Sequence, residues 1–528
     1  MNKPKRVKSP SIDSVDMYMD DFVIDLDDDL LSEESSENAE DIQIEEPKRR
    51  KRRETSPRKP KSNRNREFLV VAYSFLFLFL SLTVYLCYFV AYKSPEYVSS
   101  SYNKRTGALS ASTIRGDILA ADGTVLATSS VDENQNEHRT YPGGEMFSHV
   151  VGYYIHGRSG IEKDANQLLL SSHEDYSEQM QRIITGKKVR GDSVVTTLDS
   201  RMQAIAYNDI GNYFGAVMAI DPDSGKILCM FSRPYFDPNT LEAEWESIVT
   251  DQSSSRLLNR CTQGLYAPGS TFKIVTALSY LQQGGSLDDR FSCSGSMDVN
   301  GMTFHCFNSI SHGNMDLRKA FAKSCNMTFG TIGMELDSKA YRKTAEQLLF
   351  NRELPVDFST YKESSFDVDA DMADDLVFQT GFGQGHTLVT PLHMSMIASA
   401  IANDGVLMKP YLIDHTLTES GELVKTFLPA KADTLMTVEE AQSLQELMRG
   451  VVTGGTGTVL QSDIYDAYGK TGTAEFSSDK EEAHSWFVGY ATNGNKKLAI
   501  AVIIEEGGRS SSLSMPVVKD IFDYYFAD

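Results

Sequence analysis

Three short runs carry residue types that can do chemistry together. Ser270 and Lys273 stand three apart in "APGSTFKIVTALSYL", residues 267–281. Ser324 and Asn326 stand two apart in "KSCNMTF", residues 323–329. Lys470, Thr471 and Gly472 lie in "AYGKTGTAEF", residues 467–476. A serine hydroxyl is a weak nucleophile until a base takes its proton. Lysine ordinarily titrates near about 10.4, too high for that task, but burial and a second cation lower it. Lys273 is then the base and Lys470 the second cation. Ser324 can relay a proton between Lys273 and a leaving or attacking nitrogen. Asn326 offers a substrate amide a paired donor and acceptor. Each motif alone carries little. S-x-x-K also occurs at Ser56–Lys59, Ser101–Lys104 and Ser477–Lys480, S-x-N recurs at Ser36–Asn38 and Ser101–Asn103, and Ser270 and Ser324 can both be read as helix caps. Together the three suggest acyl transfer through a serine.

The third run has a rival reading as the tail of a phosphate-binding loop, G-x-x-x-x-G-K-[ST]. Ile464 stands where that loop needs its first glycine, so the match fails. "TGGTGT", residues 453–458, has no following Lys-Ser/Thr and reads as a flexible loop.

The chemistry needs elements to position it. Ser270 follows Pro268-Gly269 at the start of an apolar helical run, Phe272–Leu281. Serine and lysine three apart share a helix face, about 5–6 Å apart at Cβ. The N–H groups of a helix start favour developing negative charge. Ser324 and Asn326 can converge only from a loop or irregular turn. "AYGKTGTAEF" reads as an edge strand lining a cleft, ahead of a hairpin over Ser485–Glu506. Lys470 and Thr471 then project alternately, Gly472 gives a bound peptide access to the backbone, and Thr473 offers its N–H, with that of Ser270, as an oxyanion hole. A second hairpin over Gly215–Ser232 turns at Pro222-Asp223-Ser224-Gly225. Helical stretches fill the middle, including Pro391–Ala402, and a last helix covers Val517–Phe526. Strands at both ends with helices between predict one mixed sheet, its N- and C-terminal strands side by side.

The chain has 528 residues, 41% hydrophobic, with a formal net charge of −22. Acids crowd residues 1–47, and Lys48–Arg53 is a basic run. An acidic whole with one short basic block does not suggest a nucleic-acid partner. Phe68–Tyr92 follows the block without a charge, long enough to cross a bilayer core of roughly 30 Å. The basic flank predicts a cytoplasmic N-terminus and an external region after Lys93. The expected divisions are a disordered tail over 1–67, a transmembrane helix over 68–92, a first external region over 93–210 and a second over 211–528. In the first, "RGDILAADGTVLATS" reads as two strands around Asp122-Gly123, "GRSGIEKDANQLLL" opens like a helix, and another helix is capped near Asp199. Of six cysteines, Cys87 falls in the span; the other five are odd in number and exclude a complete disulfide framework. Cys293 and Cys306 can close a small loop or be two free thiols. With no C-x-x-C, and no H-x-x-x-H among His305, His312, His386, His393 and His484, neither metal nor cofactor is expected.

"PGSTFK", "SCN" and "KTGTAE", in this order and separation, resemble the transpeptidase domain of penicillin-binding proteins. The flanks "GFGQGHTLVTPLHMSMIASAIANDG" (381–405) and "SWFVGYA" resemble it too, so the likeness spans roughly 211–528. "RGDILAADGTVLA" and "GRSGIE" resemble the pedestal of class B members, departing at Ala120-Ala121, where that family usually shows Asp-Arg. Residues 93–210 are too short for an added glycosyltransferase domain, which points to class B, similar to penicillin-binding proteins 2 and A. The resemblance implies an α+β fold: a penicillin-binding/β-lactamase-like domain, its antiparallel sheet flanked by helices, on a small α/β dimerisation-like pedestal with one N-terminal transmembrane helix. It implies a D,D-transpeptidase of the bacterial cell membrane that crosslinks peptidoglycan stem peptides through a Ser270 acyl-enzyme. Ser270, Lys273, Ser324, Asn326 and Lys470 are then catalytic, and Thr471, Gly472 and Thr473 bind substrate. Lys470, Thr471 and Thr473 hold the donor's terminal carboxylate. β-Lactams mimic the donor, and a polytopic glycan polymerase is the implied partner through the membrane helix and pedestal. A D,D-carboxypeptidase or β-lactamase shares the motifs and differs only in the fate of the acyl group. A β-lactam-binding sensor or scaffold is the non-enzymatic alternative.

Overall fold

The computed structural model describes residues 64–93, 113–134, 136–251, 253–475, 483–507 and 513–527. Most of the tail expected over 1–67 lies outside them. The apolar run is an α-helix over Arg64–Tyr88, 25 residues long, continued by a π-helical turn over Phe89–Lys93. At 1.5 Å per residue it is about 37 Å long, long and apolar enough to cross a membrane.

A five-stranded antiparallel sheet carries the region assigned to residues 211–528. Its order is Asp466–Glu475, Ala483–Thr492, Lys497–Ile504, Gly215–Ile220, Ile227–Arg233. The expected hairpins are both present, and Gly215–Ile220 pairs with Ala499–Ile504, which brings the two ends of the domain together. The central strands are buried on both faces, so they read as apolar runs rather than alternating ones. Alternation decides only which layer each side chain enters. Ala499, Ala501 and Ile503 join the cluster around helix Pro391–Ala402. Leu498, Ile500 and Val502 join the one around Ser200–Ile210 and Ser514–Phe526. Pro391–Ala402 is buried at every residue. Thr390 caps it by accepting from the His393 N–H, and Pro391 occupies a position whose N–H has no helical acceptor. Burial pushes the His393 imidazole down to about 4. Its neutral ring donates from Nε2 to Leu348 O at 2.6 Å, a packing role.

The sheet of the region expected over 93–210 extends beyond it in sequence. Its six-stranded sheet runs Leu423–Thr426, Ile413–Leu417, Ser193–Thr196, Ile118–Leu119, Val125–Val131, Glu137–Thr140. Two of these strands come from inside the segment assigned to the second domain. The seam is bonded by the chain itself: Thr197 N–H donates to Leu412 O and Ile227 N–H to Tyr411 O, while Thr197 Oγ1 donates to Ile227 O at 2.6 Å. The hairpin around Asp122-Gly123 is present, and Asp199 caps its helix by accepting from the N–H groups of Arg201 and Met202.

A buried ion cluster joins the two pedestal motifs. Glu162, fully buried, takes a short contact from Arg115 Nε and a 2.8 Å bond from Arg139 Nε. Arg115 Nη1 also donates to Asn166 Oδ1 at 2.6 Å. Burial opposes the Glu162 charge, and the Arg115 and Arg139 charges outweigh it, so the carboxyl stays below its ordinary range. Removing one partner of a buried pair leaves an uncompensated charge. Glu162→Ala is therefore expected to destabilise the fold by about 3–5 kcal/mol, read as a lowered midpoint of thermal unfolding of the purified full chain.

Candidate active site

Ser270 does not sit on a regular helix. It lies in a 3-10 turn, Gly269–Phe272, and the α-helix begins at Lys273 and runs to Gln282. The turn is fixed by backbone contact on two sides. Gly269 has φ +52°, and a Cβ there would stand 2.5 Å from Thr473 O. Gly269 N–H donates to Gly383 O at 2.9 Å. Gly383 has φ +84°, and its Cβ would fall 1.9 Å from Gly269 O. Only glycine fits both positions.

Lys273 is fully buried. Its Nζ is 3.0 Å from Ser270 Oγ, 2.7 Å from Ser324 O, 3.1 Å from Ser324 Oγ and 2.8 Å from Asn326 Oδ1. Two of these partners, a carbonyl and an amide oxygen, can only accept. A neutral amine satisfies both with its two N–H groups and aims its lone pair at a hydroxyl. Burial pulls Lys273 down to about 7, against the opposing pull of Cys325 and Cys306. Lys470 is also fully buried, donating to Ser324 Oγ at 2.9 Å and Thr471 O at 3.0 Å. Burial, then the Lys273 charge, holds it well below the ordinary lysine range. Desolvation is thus the leading cause for both lysines, and their repulsion falls on Lys470 rather than on Lys273 as the sequence suggested.

Ser324 stands between the two amines. Its φ is +56°, a conformation that costs a serine on the order of 1–2 kcal/mol. That is the irregular turn the S-x-N spacing required. Helix Asn326–Glu335 starts immediately after it. The Asn326 carboxamide takes Lys273 on its oxygen and gives one N–H to His305 O at 3.1 Å, leaving a second N–H for a substrate carbonyl.

Lys470, Thr471, Gly472 and Thr473 lie on the expected edge strand, Asp466–Glu475. Thr471 Oγ1 is 2.6 Å from Thr456 Oγ1. The loop read as flexible is therefore packed on the site, and Lys323 Nζ bonds Gly454 O at its other side. A Cβ at Gly472 would meet Thr271 Cγ2 and Trp486 Cβ at 2.9 Å, so its glycine also lets the strand press against the nucleophile turn. Thr473 is half-buried opposite Ser485, beside Gly269. Ser270, Lys273, Ser324, Asn326 and Lys470 thus form one hydrogen-bonded chain, with Thr471 to Thr473 along its edge. The decoys at Ser56, Ser101 and Ser477 lie outside the described residues.

Residues 215–523, which hold this whole arrangement, match the profile of the penicillin binding protein transpeptidase domain. The chain belongs to the penicillin-binding protein transpeptidase family. Residues 115–194 match the penicillin binding protein A dimerisation domain. The peptidoglycan D,D-transpeptidase PbpA of Mycolicibacterium smegmatis is 30% identical over 419 residues, spanning 75% of this chain and 84% of the relative. The D,D-transpeptidase domain of a peptidoglycan glycosyltransferase from Eggerthella lenta superposes with a TM-score of 0.70 at 31% identity, covering 79% of this chain and 99% of that one. The imipenem acyl-enzyme of penicillin-binding protein A from M. tuberculosis does so with a TM-score of 0.70 at 26% identity, covering 78% of this chain and 98% of that one.

One group beside this penicillin-binding site escaped the sequence reading. Cys293, Cys306, His312 and Cys325 bring their donor atoms within 4.8 Å of one another. Cys293 and Cys306 are both free thiols. The group is assembled from residues 13 and 19 apart, which neither C-x-x-C nor H-x-x-x-H describes. Gly269, Gly383 and Thr456 were also missed. The glycines of "GFGQG" were the available signal, since closely spaced glycines outside a hairpin mark close backbone approach.

Proposed function

We propose that this chain is a membrane-anchored peptidoglycan D,D-transpeptidase, that Ser270 carries the acyl group, and that β-lactams trap it there. The observation that carries this reading is the Lys273 amine, 3.0 Å from Ser270 Oγ with both of its N–H groups committed elsewhere. Lys273 takes the Ser270 proton as Oγ bonds to the penultimate D-alanine carbonyl carbon of a stem peptide. The N–H groups of Ser270 and Thr473 stabilise the oxyanion. The C–N bond then breaks, and the terminal D-alanine leaves with a proton passed from Lys273 through Ser324 Oγ. An amine of a second stem attacks the acyl-enzyme by the reverse route and restores Ser270. Lys470, Thr471 and Thr473 hold the donor carboxylate, with Thr456 behind Thr471. The basic run Lys48–Arg53 favours a cytoplasmic N-terminus, with residues 93–210 and the strands over 413–426 as pedestal and the rest of 211–528 as catalytic domain outside, and a polytopic glycan polymerase as partner along the helix and pedestal.

The test is a labelled penicillin on the purified full chain in detergent, mapped by peptide mass spectrometry. One adduct on the peptide bearing Ser270 is expected, and none in Ser270→Ala. An adduct that survives in that variant, or none in the wild type, overturns the reading. Free D-alanine without crosslinked product from a pentapeptide donor would make the enzyme a carboxypeptidase.

A further inference from the structure

We propose that helix Tyr176–Ile184 of the pedestal docks on an anionic phospholipid surface, with its apolar stripe among the acyl chains and Lys187 and Lys188 on the headgroup phosphates. This docking rests on the membrane-anchored reading of helix Arg64–Tyr88. The pedestal helix is built the wrong way round for a protein surface. Tyr176, Met180 and Ile184 recur every four residues and are 81%, 47% and 78% exposed, so they share one side of the helix. The side that faces the protein is polar. Gln179 Nε2 donates to Glu174 O at 2.8 Å. Arg182 Nη2 donates to Glu419 Oε2 at 2.6 Å and stands 3.6 Å from Glu174 Oε1. A surface helix ordinarily turns its apolar stripe toward the core. Here hydrogen bonds and charges hold the helix to the pedestal, and the stripe points outward.

The surroundings favour a lipid surface as the occupant. Lys187, exposed, and Lys188, half-buried, follow directly after the stripe. An open groove beside the helix is lined by Gln179, Lys187 and Lys188. Ser172, whose Oγ has no hydrogen-bond partner among the described residues, lines it too. These groups can donate to a phosphate. The nearby acids stand aside: Glu174 is buried against Arg182, Asp175 precedes the helix, and Glu178 lies on the side opposite Met180. An apolar stripe edged by lysines is the pattern of a helix lying in the plane of a membrane interface, and each lysine near an anionic surface strengthens its hold.

The helix also sits where the chain enters the pedestal. Thr113 and Ile114 pair in parallel with Val189 and Arg190, just past Lys188. Residues 94–112 separate Thr113 from Lys93 at the end of the apolar helix, at most about 65 Å of chain. The stripe is therefore tethered within reach of a bilayer. A second copy of the chain is the poorer occupant. Three side chains on a nine-residue helix fall well short of the roughly 800 Å² per partner that a stable protein interface buries.

The experiment uses the full chain in lipid nanodiscs holding one copy each, made with lipids brominated along their acyl chains, which quench a tryptophan that enters the bilayer. Signals are read against wild type, which carries Trp245 and Trp486. Tyr176→Trp and Ile184→Trp put reporters on the stripe, Glu178→Trp puts one on the other side of the helix, and Phe77→Trp puts one within the apolar span. Both stripe reporters are expected to be quenched at least about twofold, as for side chains about 5–10 Å into the boundary between headgroups and acyl chains. Glu178→Trp is expected to be unquenched. Stripe quenching should be stronger with phosphatidylglycerol than with phosphatidylcholine alone, and Lys187→Glu combined with Lys188→Glu should remove that difference. Should a stripe variant fail to fold, amide hydrogen exchange over residues 176–184 of the wild type should be slower with phosphatidylglycerol than without it. Unquenched stripe reporters beside a quenched Phe77→Trp overturn the docking alone. An unquenched Phe77→Trp overturns the anchored reading and the docking with it. A stripe shielded only in discs holding two copies assigns the face to a second copy and overturns the lipid contact. Quenching indifferent to phosphatidylglycerol overturns the headgroup contact.

Discussion

Lys273→Met should slow acylation of Ser270 by penicillin about a thousandfold to ten-thousandfold, the upper range for removal of a positioned general base. Met keeps most of the buried stem in place, so the loss belongs to the amine. Lys273→Arg should be nearly as slow, because a guanidinium does not deprotonate in a protein. That variant separates a base from a mere positive charge. The wild-type pH profile should agree. The active form is the neutral amine, and Lys273 is pulled down to about 7. Acylation should therefore rise about tenfold per pH unit below that point and level off above it. The groups facing this amine are Lys470, Cys325 and Cys306. Stopped-flow acylation across pH 5 to 9 checks this; a rate still climbing steeply above about 9, toward an ordinary lysine, would remove Lys273 from the role of base.

Gly383→Ala is the second large effect, although residue 383 touches no reacting atom. Its Cβ would stand 1.9 Å from Gly269 O and 2.7 Å from Phe272 Cβ, at φ +84°. Both neighbours belong to the turn that aims Ser270, so the turn must move. A displacement near 1 Å in a reacting group costs about a hundredfold, and that loss in acylation rate is expected. Gly421→Ala supplies the control: φ there is +88°, but nothing lies within 4 Å of the added carbon. It should lower the unfolding midpoint slightly through backbone conformation alone and leave acylation unchanged. Equal acylation by the two variants would show that close packing at Gly383 does not position the nucleophile.

What was legible in the sequence was what is local. The Ser270 to Lys273 spacing spans one continuous turn of chain, a 3-10 turn running into a helix, and the strand around Lys470 is one element, so short-range spacing places both. The S-x-N spacing even demanded an irregular turn, which Ser324 supplies. What was not legible is closed through space. Thr456 meets Thr471 across fifteen residues, and the Cys–His group gathers three hairpin segments and a helix start. The packing of Gly472 on Thr271 and Trp486 was not legible, because a glycine reports close approach without saying what approaches. Burial and a second cation were both expected to lower the lysines, but which one leads was not legible, because the extent of burial is a property of the finished fold.

The seam between pedestal and catalytic sheet bears on how the molecule is made. Ribosomes deliver the chain from its N-terminus, yet Ser193–Thr196 finds its partner only at Ile413–Leu417, and Gly215–Ile220 only at Lys497–Ile504. Thr197 Oγ1 meets Tyr411 O 214 residues later. Both sheets must therefore wait, each with a strand edge open, until nearly the whole chain has emerged. Such non-local closure is slow and leaves nascent edges available for wrong pairing. A chain stopped before residue 413 lacks two pedestal strands as well as the Lys470 strand, so premature termination cannot yield a free-standing pedestal with its sheet complete.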